Sequence, residues 1–401
     1  MTKKVEILSS KEAQKIILLS QKVLTAKITG SALSATLNTI EHLGYIQIDT
    51  ISVVQRAHHH TLWTRNPRYQ TTHLSELIKE KKVFEYWSHA AAYLPIKEYR
   101  YSLPRKNDLV LGTQKHWYNP NKKLMQQVLE RITKEGPLMA KDFENTGKMK
   151  GDWTTKPTKQ ALEYLFMQGE LMISSRKNFH KVYDITERVI PENTNTSLPS
   201  PEEHARFLIK KYLNANGLAQ SNEIAYLLKN IKPNISKALE EMLLSNEVLK
   251  CNVNNKIYYI LPETINLLNK PLYRSKLKIL SPFDNLLIQR KRMQDLFNFD
   301  YLIECYVPEA KRKYGYFSLP ILWDGKFAAR MDCKAYRKDK ILHVNNLVLE
   351  PSLKKIDEFS KTLTKELKKF KDFNNCDSIK INRTNPTNSK QLIEEQLNNN
   401  G

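Results

Sequence analysis

The middle of the chain repeats itself at a fixed interval, and this repeat limits what the chain can fold into. Ala161–Glu163 (ALE) recurs as Ala238–Glu240, and Glu170-Leu171 recurs as Glu247-Val248, each 77 residues later (238 − 161 and 247 − 170). Self-similarity at a fixed period is typical of a chain built from copies of one supersecondary unit. The sequence therefore predicts at least two copies of one small folding unit.

The first copy has the element order of a winged helix. A helix is predicted over Lys122–Thr133, a short one over Leu138–Glu144 after Gly136-Pro137, and a third over Pro157–Met167, which ends at Gly169. Two strands follow, Glu170–Ser174 and Phe179–Ile185, joined by Arg176-Lys177-Asn178. Three helices and a basic hairpin predict a winged helix, a variant of the helix-turn-helix DNA reader.

Two other regions follow the same plan. The second copy begins with a capping box at Ser200–Glu203, has its last helix at about Ile235–Leu244, and ends in strands Glu247–Val253 and Lys256–Leu261 around Asn254-Asn255. At the N-terminus, Ser9 and Glu12 predict a capping box, and Ser31–Leu43 a helix that stops at Gly44. This pattern predicts a third winged helix. Three-helix units are also common scaffolds that bind protein, and that alternative stays open.

After Pro271 the spacing of apolar residues changes from the period of a helix to that of a strand. Strands are predicted at Tyr301–Val307, Tyr314–Trp323, Phe327–Tyr336 and Ile341–Val348, with a hairpin turn at Asp324-Gly325. This indicates an antiparallel meander closed as a small barrel, followed from Ser352 by a Lys-rich helix and a frayed Asn-rich end. The predicted fold class is α+β: tandem winged-helix domains at residues 1–118, 119–192 and 193–270, then a C-terminal antiparallel β-meander, barrel-like domain at 271–401.

Charge and cysteine usage narrow the class of protein. Lys plus Arg number 64 against 42 Asp plus Glu, a net charge of +22, which favours a polyanionic partner, nucleic acid before a membrane surface. The four cysteines are scattered without a CxxC, which fits a reducing cytosol and predicts neither a zinc site nor a disulfide framework. The apolar run Ile16–Leu19 is too short for a signal peptide, and no stretch is long enough to span a bilayer. These observations predict a cytoplasmic protein without a cofactor.

The segment Gly44–Arg65 carries the candidate chemistry. Gln47 and Asp49 lie two residues apart around Ile48, so a strand here would place both side chains on one face. A carboxamide and a carboxylate in that arrangement can hold one water molecule between them. The alternative is that Asp49 is the N-cap of a helix starting near Thr50 and Gln47 a solvated strand end.

Basic and imidazole side chains follow this pair and recur later in the chain. Consecutive helix positions point in different directions, which argues against a metal ion shared by His58, His59 and His60. Trp87 and His89 are candidate cleft-lining residues, with a core role for Trp87 as the alternative. Basic residues interleaved with aromatics, as at residues 311–317, suit a nucleic-acid surface, although each basic triplet taken singly also fits a solvated loop. The predicted DNA-contacting residues are Arg56, His58, His59, Arg65, Arg176, Lys177, Arg290, Arg292, Lys311 and Arg312.

Several long motifs in a fixed order resemble one family. They are QID at Gln47–Asp49, EYWSHAAAYLP at Glu85–Pro95, GDWTTKP at Gly151–Pro157, NFHKVYDITERVIP at Asn178–Pro191, SPFD at Ser281–Asp284 and LFNFDYLIECYVPEAKRKYGYFSLPIL at Leu296–Leu322. In this order they resemble the winged-helix DNA glycosylases of the YcaQ/AlkZ type, which remove alkylated bases and unhook interstrand crosslinks. The resemblance covers nearly the whole chain and is weakest over Pro199–Pro271.

The resemblance implies a catalytic role for Gln47 and Asp49. The family signature is Gln, an apolar residue, then Gln or Asp, and Gln-Ile-Asp places this chain with the YcaQ-like branch. It implies a monomeric, monofunctional enzyme acting on double-stranded DNA with cationic N7-alkylguanine or crosslinks. Two other classes remain as alternatives: a non-catalytic winged-helix transcription regulator, which would prefer one DNA sequence, and an RNA-binding scaffold, which would prefer single strands or loops.

Overall fold

A computed structural model describes residues 5–25, 29–119, 121–143, 157–228 and 230–399. The motif GDWTTKP, apart from Pro157, and the end of the predicted helix Leu138–Glu144 lie outside these residues. The contacts divide the chain into two compact units: unit 1 comprises residues 1–30, 46–68 and 206–401, and unit 2 comprises residues 31–45 and 69–205. Each unit is assembled from separate parts of the chain, whereas the sequence predicted four consecutive domains.

The described chain mixes helices and strands, as the predicted α+β class requires. The α-helices are Ser10–Ser20, Ala32–Leu43, Ala57–Arg65, Thr71–Lys79, Leu103–Leu111, Lys122–Glu135, Pro157–Gln168, Thr186–Val189, Pro201–Asn216, Ser221–Ile224, Lys232–Leu244, Arg290–Phe297, Ile356–Phe373 and Ser389–Asn399. The 3-10 helices are Ile96–Ser102, Ala140–Asp142, Pro262–Asn269 and Glu309–Lys311. Among the described residues, no helix is both long and apolar enough to cross a membrane.

The strands are mostly short. They are Glu6–Ile7, Ile46–Gln47, Val83–Trp87, Ala91–Pro95, Leu138–Met139, Leu171–Lys177, His180–Ile185, Leu218–Ala219, Leu249–Val253, Lys256–Ile260, Leu277–Ile279, Ser318–Trp323, Lys326–Tyr336, Ile341–Leu349, Ser378–Ile381 and Thr384–Asn385.

Capping residues decide where the predicted helices begin and end. Ser9 and Glu12 form the reciprocal capping box before Ser10–Ser20, and the Ser200 and Glu203 pair does the same before Pro201–Asn216. Gly44 ends the helix Ala32–Leu43 in the left-handed region, with a φ of 79°. These sequence-based predictions of helix ends are confirmed because they depend on local hydrogen bonds alone.

The two repeat copies have the same strand order. In unit 2, Leu138–Met139 pairs with His180–Ile185, the second strand of the hairpin. In unit 1, Leu218–Ala219 pairs with Lys256–Ile260, again the second hairpin strand. The predicted short helix at Leu138–Glu144 is therefore wrong over its described part, which is a strand followed by a single 3-10 turn.

Two-residue turns close both hairpins. Asn178 and Phe179 have positive φ values of 49° and 68°, and Asn254 and Asn255 have 50° and 61°, the geometry that twists a tight hairpin correctly. The turn at Asn254-Asn255 is as predicted. In unit 2, however, Arg176 belongs to the strand Leu171–Lys177 and not to the turn.

The C-terminal sheet is open. Its strands run in the order Leu277–Ile279, Ser318–Trp323, Lys326–Tyr336, Ile341–Leu349 and Ser378–Ile381, with Thr384–Asn385 also paired to Ile341–Leu349. The first four are antiparallel, but Ser378–Ile381 and Thr384–Asn385 pair in parallel. No strand among the described residues closes this path, so the predicted closed barrel is wrong. The hairpin at Asp324-Gly325 is confirmed, with φ values of 51° and 76°.

A helix connects the parallel strands of this sheet. Ile356–Phe373 buries the apolar positions Phe359, Leu363, Leu367 and Phe370 completely, the spacing expected of one helical face. Since parallel neighbours need a crossover connection, this Lys-rich helix is part of the domain core. The predicted frayed end is also wrong for its described part, because Ser389–Asn399 forms a further helix.

Unit 2 contains a buried lysine in its core. Lys106 is 4% exposed, and its Nζ lies 4.1 Å from the ring centroid of Tyr99 and 4.8 Å from that of Tyr86. Nζ makes no hydrogen bond to any residue that the structure describes. Burial lowers the pKa of Lys106 to about 7, since the charged amine is disfavoured away from water.

We expect Lys106→Met to stabilise the protein. At pH 7 the variant should gain roughly 1–3 kcal/mol in free energy of unfolding, the part of the cost of burying an ammonium that cation–π contacts do not offset. Between pH 7 and 10.5 the unfolded chain holds a proton that the folded chain has lost. Wild-type stability therefore rises with pH across this interval, and that rise should disappear in the variant.

Denaturant unfolding measured across the same pH interval tests this expectation. The control is Lys115→Met, which removes an exposed lysine of the same unit and should behave as the wild type. A Lys106→Met protein that is less stable than the wild type at pH 7 would contradict the prediction.

Candidate active site

Gln47 and Asp49 lie at the end of a very short strand. Ile46–Gln47 is extended, and the chain from Ile48 onward is irregular until the helix Ala57–Arg65 begins. Ile48 is buried, while Gln47 and Asp49 are both partly exposed. The strand is shorter than the sequence suggested, but both polar side chains keep access to solvent on either side of a buried isoleucine.

Asp49 is not a helix cap. The next helix begins at Ala57 with Arg56 as its N-cap, so the alternative of a helix starting near Thr50 is wrong. Instead, Ile51 N–H donates a hydrogen bond of 2.7 Å to Asp49 Oδ1, which fixes the carboxylate in a local turn.

The surroundings of Asp49 favour its neutral form. Burial raises the pKa of Asp49 above its ordinary value, and the hydrogen bond from Ile51 opposes part of that shift. A carboxylate that is partly stripped of water is a stronger proton acceptor than a fully solvated one. Asp49 therefore has the electrostatic setting of a general base, and perturbed carboxyl groups of this kind cluster at functional sites.

The charge of Asp49 acts on two residues that the sequence did not single out. Burial and then the charge of Asp49 raise the pKa of the Cys305 thiol, and Asp49 also acts on the Tyr306 hydroxyl. The predicted strand Tyr301–Val307, which would have contained them, is wrong: this segment is a loop.

A buried carboxylate organises that loop. Glu304, 5% exposed, accepts hydrogen bonds from the N–H groups of Lys313, Tyr314 and Gly315 at 3.0, 2.7 and 3.1 Å. These bonds draw the chain into a closed loop, which explains why the period-two pattern fails to give a strand. The only signal in the sequence was the motif ECYVPEAKRKYG itself.

The histidine run is largely part of the core. His58 and His60 are 1% and 0% exposed, and His60 Nε2 lies 2.9 Å from the carbonyl oxygen of Ile279. Burial lowers the pKa of His60 to about 4, and burial followed by the charge of Arg56 does the same for His59. The His59 and His60 imidazoles are then neutral at pH 7. A buried His58 cannot reach a phosphate, so its predicted DNA contact is wrong for this structure.

Two of the predicted phosphate contacts, Arg65 and Arg292, are instead buried and paired with carboxylates. Arg65 forms a two-pronged ion pair with Asp284, with distances of 2.7 and 2.8 Å and no exposed side-chain surface on either partner. Arg292, 3% exposed, pairs with Glu223 at 2.8 Å and donates to the carbonyl oxygens of Leu218 and Asn216. In both cases the guanidinium is buried and its charge is neutralised by a buried carboxylate. The predicted DNA contacts of Arg65 and Arg292 are therefore wrong.

Arg176 is also paired with a carboxylate, but its side chain is less deeply buried than those of Arg65 and Arg292. Its Nε and Nη2 donate to the two carboxylate oxygens of Glu85 at 2.9 and 2.7 Å, and Nη1 donates to the carbonyl oxygen of Phe179. The side chain is 15% exposed. Planar guanidinium groups are well suited to this bidentate geometry, so Arg176 ties its hairpin to Glu85.

The remaining predicted cations are more accessible. Lys177, Arg290 and Lys311 are exposed, and Arg56 and Arg312 are partly exposed. Arg312 donates from Nε to the carbonyl oxygen of Val307 at 2.9 Å, and its guanidinium lies 5.0 Å from the Tyr316 ring. These side chains remain predicted DNA contacts.

Trp87 and His89 belong to unit 2 and are partly exposed. The Trp87 ring lies 5.3 Å from Trp117 and beneath the Arg105 guanidinium at 5.5 Å. His89 packs edge-on against Tyr45 at 5.1 Å, and burial lowers its pKa to about 4. Their role in lining a cleft stays a prediction. Among the residues that the structure describes, no group of His, Cys, Asp and Glu is arranged to hold a metal ion.

Comparisons with known proteins place this chain in a class, that of enzymes that excise bases from DNA. A sequence model described as "DNA glycosylase AlkZ-like" matches residues 40–373. Because the match spans well over half of the sequence, the chain belongs to the AlkZ-like DNA glycosylase family. The family resemblance read from the motifs is confirmed.

The fold is similar to that of a solved structure in the same class. Streptomyces sahachiroi DNA glycosylase AlkZ matches with a TM-score of 0.65, covering 94% of this chain and 100% of that chain at 15% sequence identity. At this identity the likeness concerns the fold alone.

Proposed function

We propose that this protein is a monofunctional DNA glycosylase that hydrolyses the N-glycosidic bond of cationic alkylated purines, N7-alkylguanine above all, and unhooks interstrand crosslinks. The observation that carries the proposal is the setting of Asp49. It is a partly buried carboxylate with a raised pKa, oriented by Ile51 N–H and preceded by Gln47. Family membership supplies the reaction class, and the residues supply the chemistry.

The proposed substrate class agrees with what the site contains and with what it does not require. Alkylation at N7 gives guanine a positive charge, so the base leaves as a neutral molecule without a strong general acid. The enzyme must then stabilise an oxocarbenium-like sugar and supply water. One anion close to C1′ can do both, by electrostatic attraction to the developing charge and by accepting a proton.

The reaction can be written with water as the only co-reactant. The water oxygen bonds to C1′ of the deoxyribose, and the C1′–N9 bond breaks with its electron pair going to the departing base. Asp49 accepts the water proton, and Gln47, with one acceptor and two donors, orients the water or the sugar. The products are the free base and an abasic site, and no lysine nucleophile is required.

DNA binding would come from the winged-helix units and the exposed cations. The repeated helix–strand–helix–hairpin order in the two copies supports assigning them to this class of DNA-binding unit. Lys177, Arg290, Lys311 and Arg312 supply positive charge at or near the surface, and a chain with several such units needs no second copy to span a site. A crosslinked base cannot rotate freely out of the helix, so we propose an open site.

Base release under single-turnover conditions tests this function. The substrates are a duplex with one N7-methylguanine and a duplex with one nitrogen-mustard crosslink between guanines. We expect free alkylguanine and an abasic strand from the first and separated strands from the second. Tight binding to both duplexes without release of either base would instead favour a non-catalytic DNA-binding protein.

A further inference from the structure

Trp117 is a half-exposed tryptophan at the surface of unit 2. It is 50% exposed, and its ring lies in a cluster of rings, with centroid distances of 5.3 Å to Trp87 and 4.2 Å to His116. Single apolar side chains scattered over a surface are normal, but a large ring exposed within a cluster of rings indicates a binding surface.

The chain on either side of Trp117 is fixed to the rest of unit 2. Tyr118 N–H donates a hydrogen bond of 3.0 Å to His116 Nδ1. The His116 ring also packs against the ring of Tyr164, which belongs to the helix Pro157–Gln168, with centroids 4.6 Å apart. Because these contacts already hold the Trp117 ring in place, a ligand that binds to it immobilises little additional side-chain freedom.

A guanidinium group lies beside the same rings. Arg105 is partly exposed, and its Cζ lies 5.5 Å from the ring centroid of Trp87. Its buried Nε has no hydrogen-bond partner among the residues that the structure describes. The carboxylate of Glu163, whose charge acts on His116, is already paired with Lys181 at 3.0 Å. The positive charge of Arg105 is therefore available to an anion from outside the chain.

An exposed indole beside an available cation suits one kind of ligand, a nucleotide of DNA. A base can stack on the ring while the guanidinium pairs with a phosphate, and a cationic ligand would be repelled by Arg105. The chain belongs to a DNA glycosylase family and has a net charge of +22, so DNA is the complementary polyanion. Inside a duplex both faces of a base are covered by its neighbours, so the ring requires a base that has left the stack.

We propose that Trp117 and Arg105 form a DNA-binding site on unit 2, in which the Trp117 ring stacks on an unpaired nucleobase and the Arg105 guanidinium holds a neighbouring phosphate. Since both side chains contact the Trp87 ring, adjacent nucleotides of one strand can reach both. Trp87 and His116 support the stacking ring. The site goes beyond the proposed function, because it requires no glycosidic bond to break.

Competition binding with unmodified DNA gives the first test. The probes are a duplex with a one-nucleotide bulge and the same duplex fully paired, and the wild type should prefer the bulged one. Trp117→Ala should bind the bulged duplex roughly 5- to 100-fold more weakly, the loss expected for one stacked base, and the paired duplex as before. Trp117→Phe should keep most of the preference. The matched control is Leu111→Ala, which removes another exposed apolar side chain of unit 2 (66%) and should bind as the wild type.

Two further readouts examine the stack and the phosphate contact separately. With 2-aminopurine as the bulged base, stacking on Trp117 should quench its fluorescence in the wild-type complex, and Trp117→Ala should leave it bright. Arg105→Met should lower the slope of log affinity against log salt concentration by about 1, the change expected when one phosphate contact is lost.

The outcomes decide the proposal without reference to base release, because none of these duplexes is alkylated. Unchanged preference and unchanged quenching in Trp117→Ala would overturn the site and leave the glycosylase proposal standing. An equal loss in Leu111→Ala would overturn stacking in favour of an apolar patch that binds protein. A loss of affinity for both duplexes alike in Trp117→Ala would also contradict a site specific for an unpaired base. Full preference and quenching in a protein that releases no alkylated base would support the site and count against the proposed function alone.

Discussion

Asp49→Asn should lower the rate of base release by about 10²- to 10⁴-fold, the contribution typical of a general base, while DNA affinity stays close to that of the wild type. Asparagine keeps an oxygen that can accept the 2.7 Å hydrogen bond from Ile51 N–H, so the local turn is preserved. What it removes is the negative charge beside the sugar and the capacity to take a proton. Single-turnover kinetics together with a binding isotherm on the same duplex measures both quantities.

The same variant should not be destabilised at neutral pH. Because the folded-state pKa of Asp49 is raised, ionisation in the folded protein costs more than in the unfolded chain. That cost is present above the folded pKa and disappears as the pH falls below the unfolded value. Asparagine carries no such cost, so thermal unfolding at neutral pH should occur at the same or a higher temperature. A loss of stability together with a loss of activity would point to a structural carboxylate instead.

The pH dependence of base release provides an independent check on Asp49. A general base works only when ionised, so the rate should fall on the acidic side as Asp49 takes up a proton. The raised pKa places this fall at a higher pH than an ordinary, solvated aspartate would give. Wild-type activity in Asp49→Asn, or an acidic limb that persists unchanged in it, would contradict the proposed mechanism.

Arg65→Met should destabilise the protein by about 3–5 kcal/mol, the usual cost of removing one partner of a buried ion pair. Both side chains of the Arg65–Asp284 pair have no exposed surface, and Arg65 also donates to the carbonyl oxygen of Gln21 at 2.9 Å. Methionine fills much of the volume but leaves the Asp284 carboxylate buried without its cation. Equilibrium unfolding in denaturant measures the change.

Two controls distinguish the buried pair from an ordinary surface one. Arg131→Met removes an ion pair to Glu135 whose side chains are 36% and 44% exposed, and it should cost no more than ~1 kcal/mol. Adding Asp284→Leu to Arg65→Met should recover part of the lost stability, since it removes the unpaired charge. If Arg65→Met folds as stably as the wild type but binds DNA more weakly, the phosphate-contact role would be restored.

Three arginines that were predicted to contact DNA show what the sequence could not predict. Arg65, Arg176 and Arg292 read as free positive charges because their partners Asp284, Glu85 and Glu223 lie 219, 91 and 69 residues away. Net charge is a sum over the sequence, so the sequence alone shows that the protein is strongly basic. Which of those charges faces solvent depends on pairings that only folding creates.

The loop around Tyr306 shows the same limit for secondary structure. Alternating apolar residues predicted a strand over Tyr301–Val307, but this segment is a loop in which the Glu304 carboxylate accepts hydrogen bonds from three N–H groups. Those bonds form only once residues 313–315 have turned back. A period of two describes which residues can be buried, and it does not say whether another strand is present to pair with them.

Features that depend on neighbouring residues were predictable from the sequence: the capping boxes at Ser9 and Ser200, the turn at Asp324-Gly325 and the repeated unit. It also carried the motifs that place the chain in its family. The open path of the final sheet and the structural role of Arg65 became apparent only from the fold. The two kinds of feature differ in the sequence separation of the interacting groups. Caps and turns are set by bonds over a few residues, whereas burial, ion pairing and pKa depend on groups brought together from distant parts of the chain.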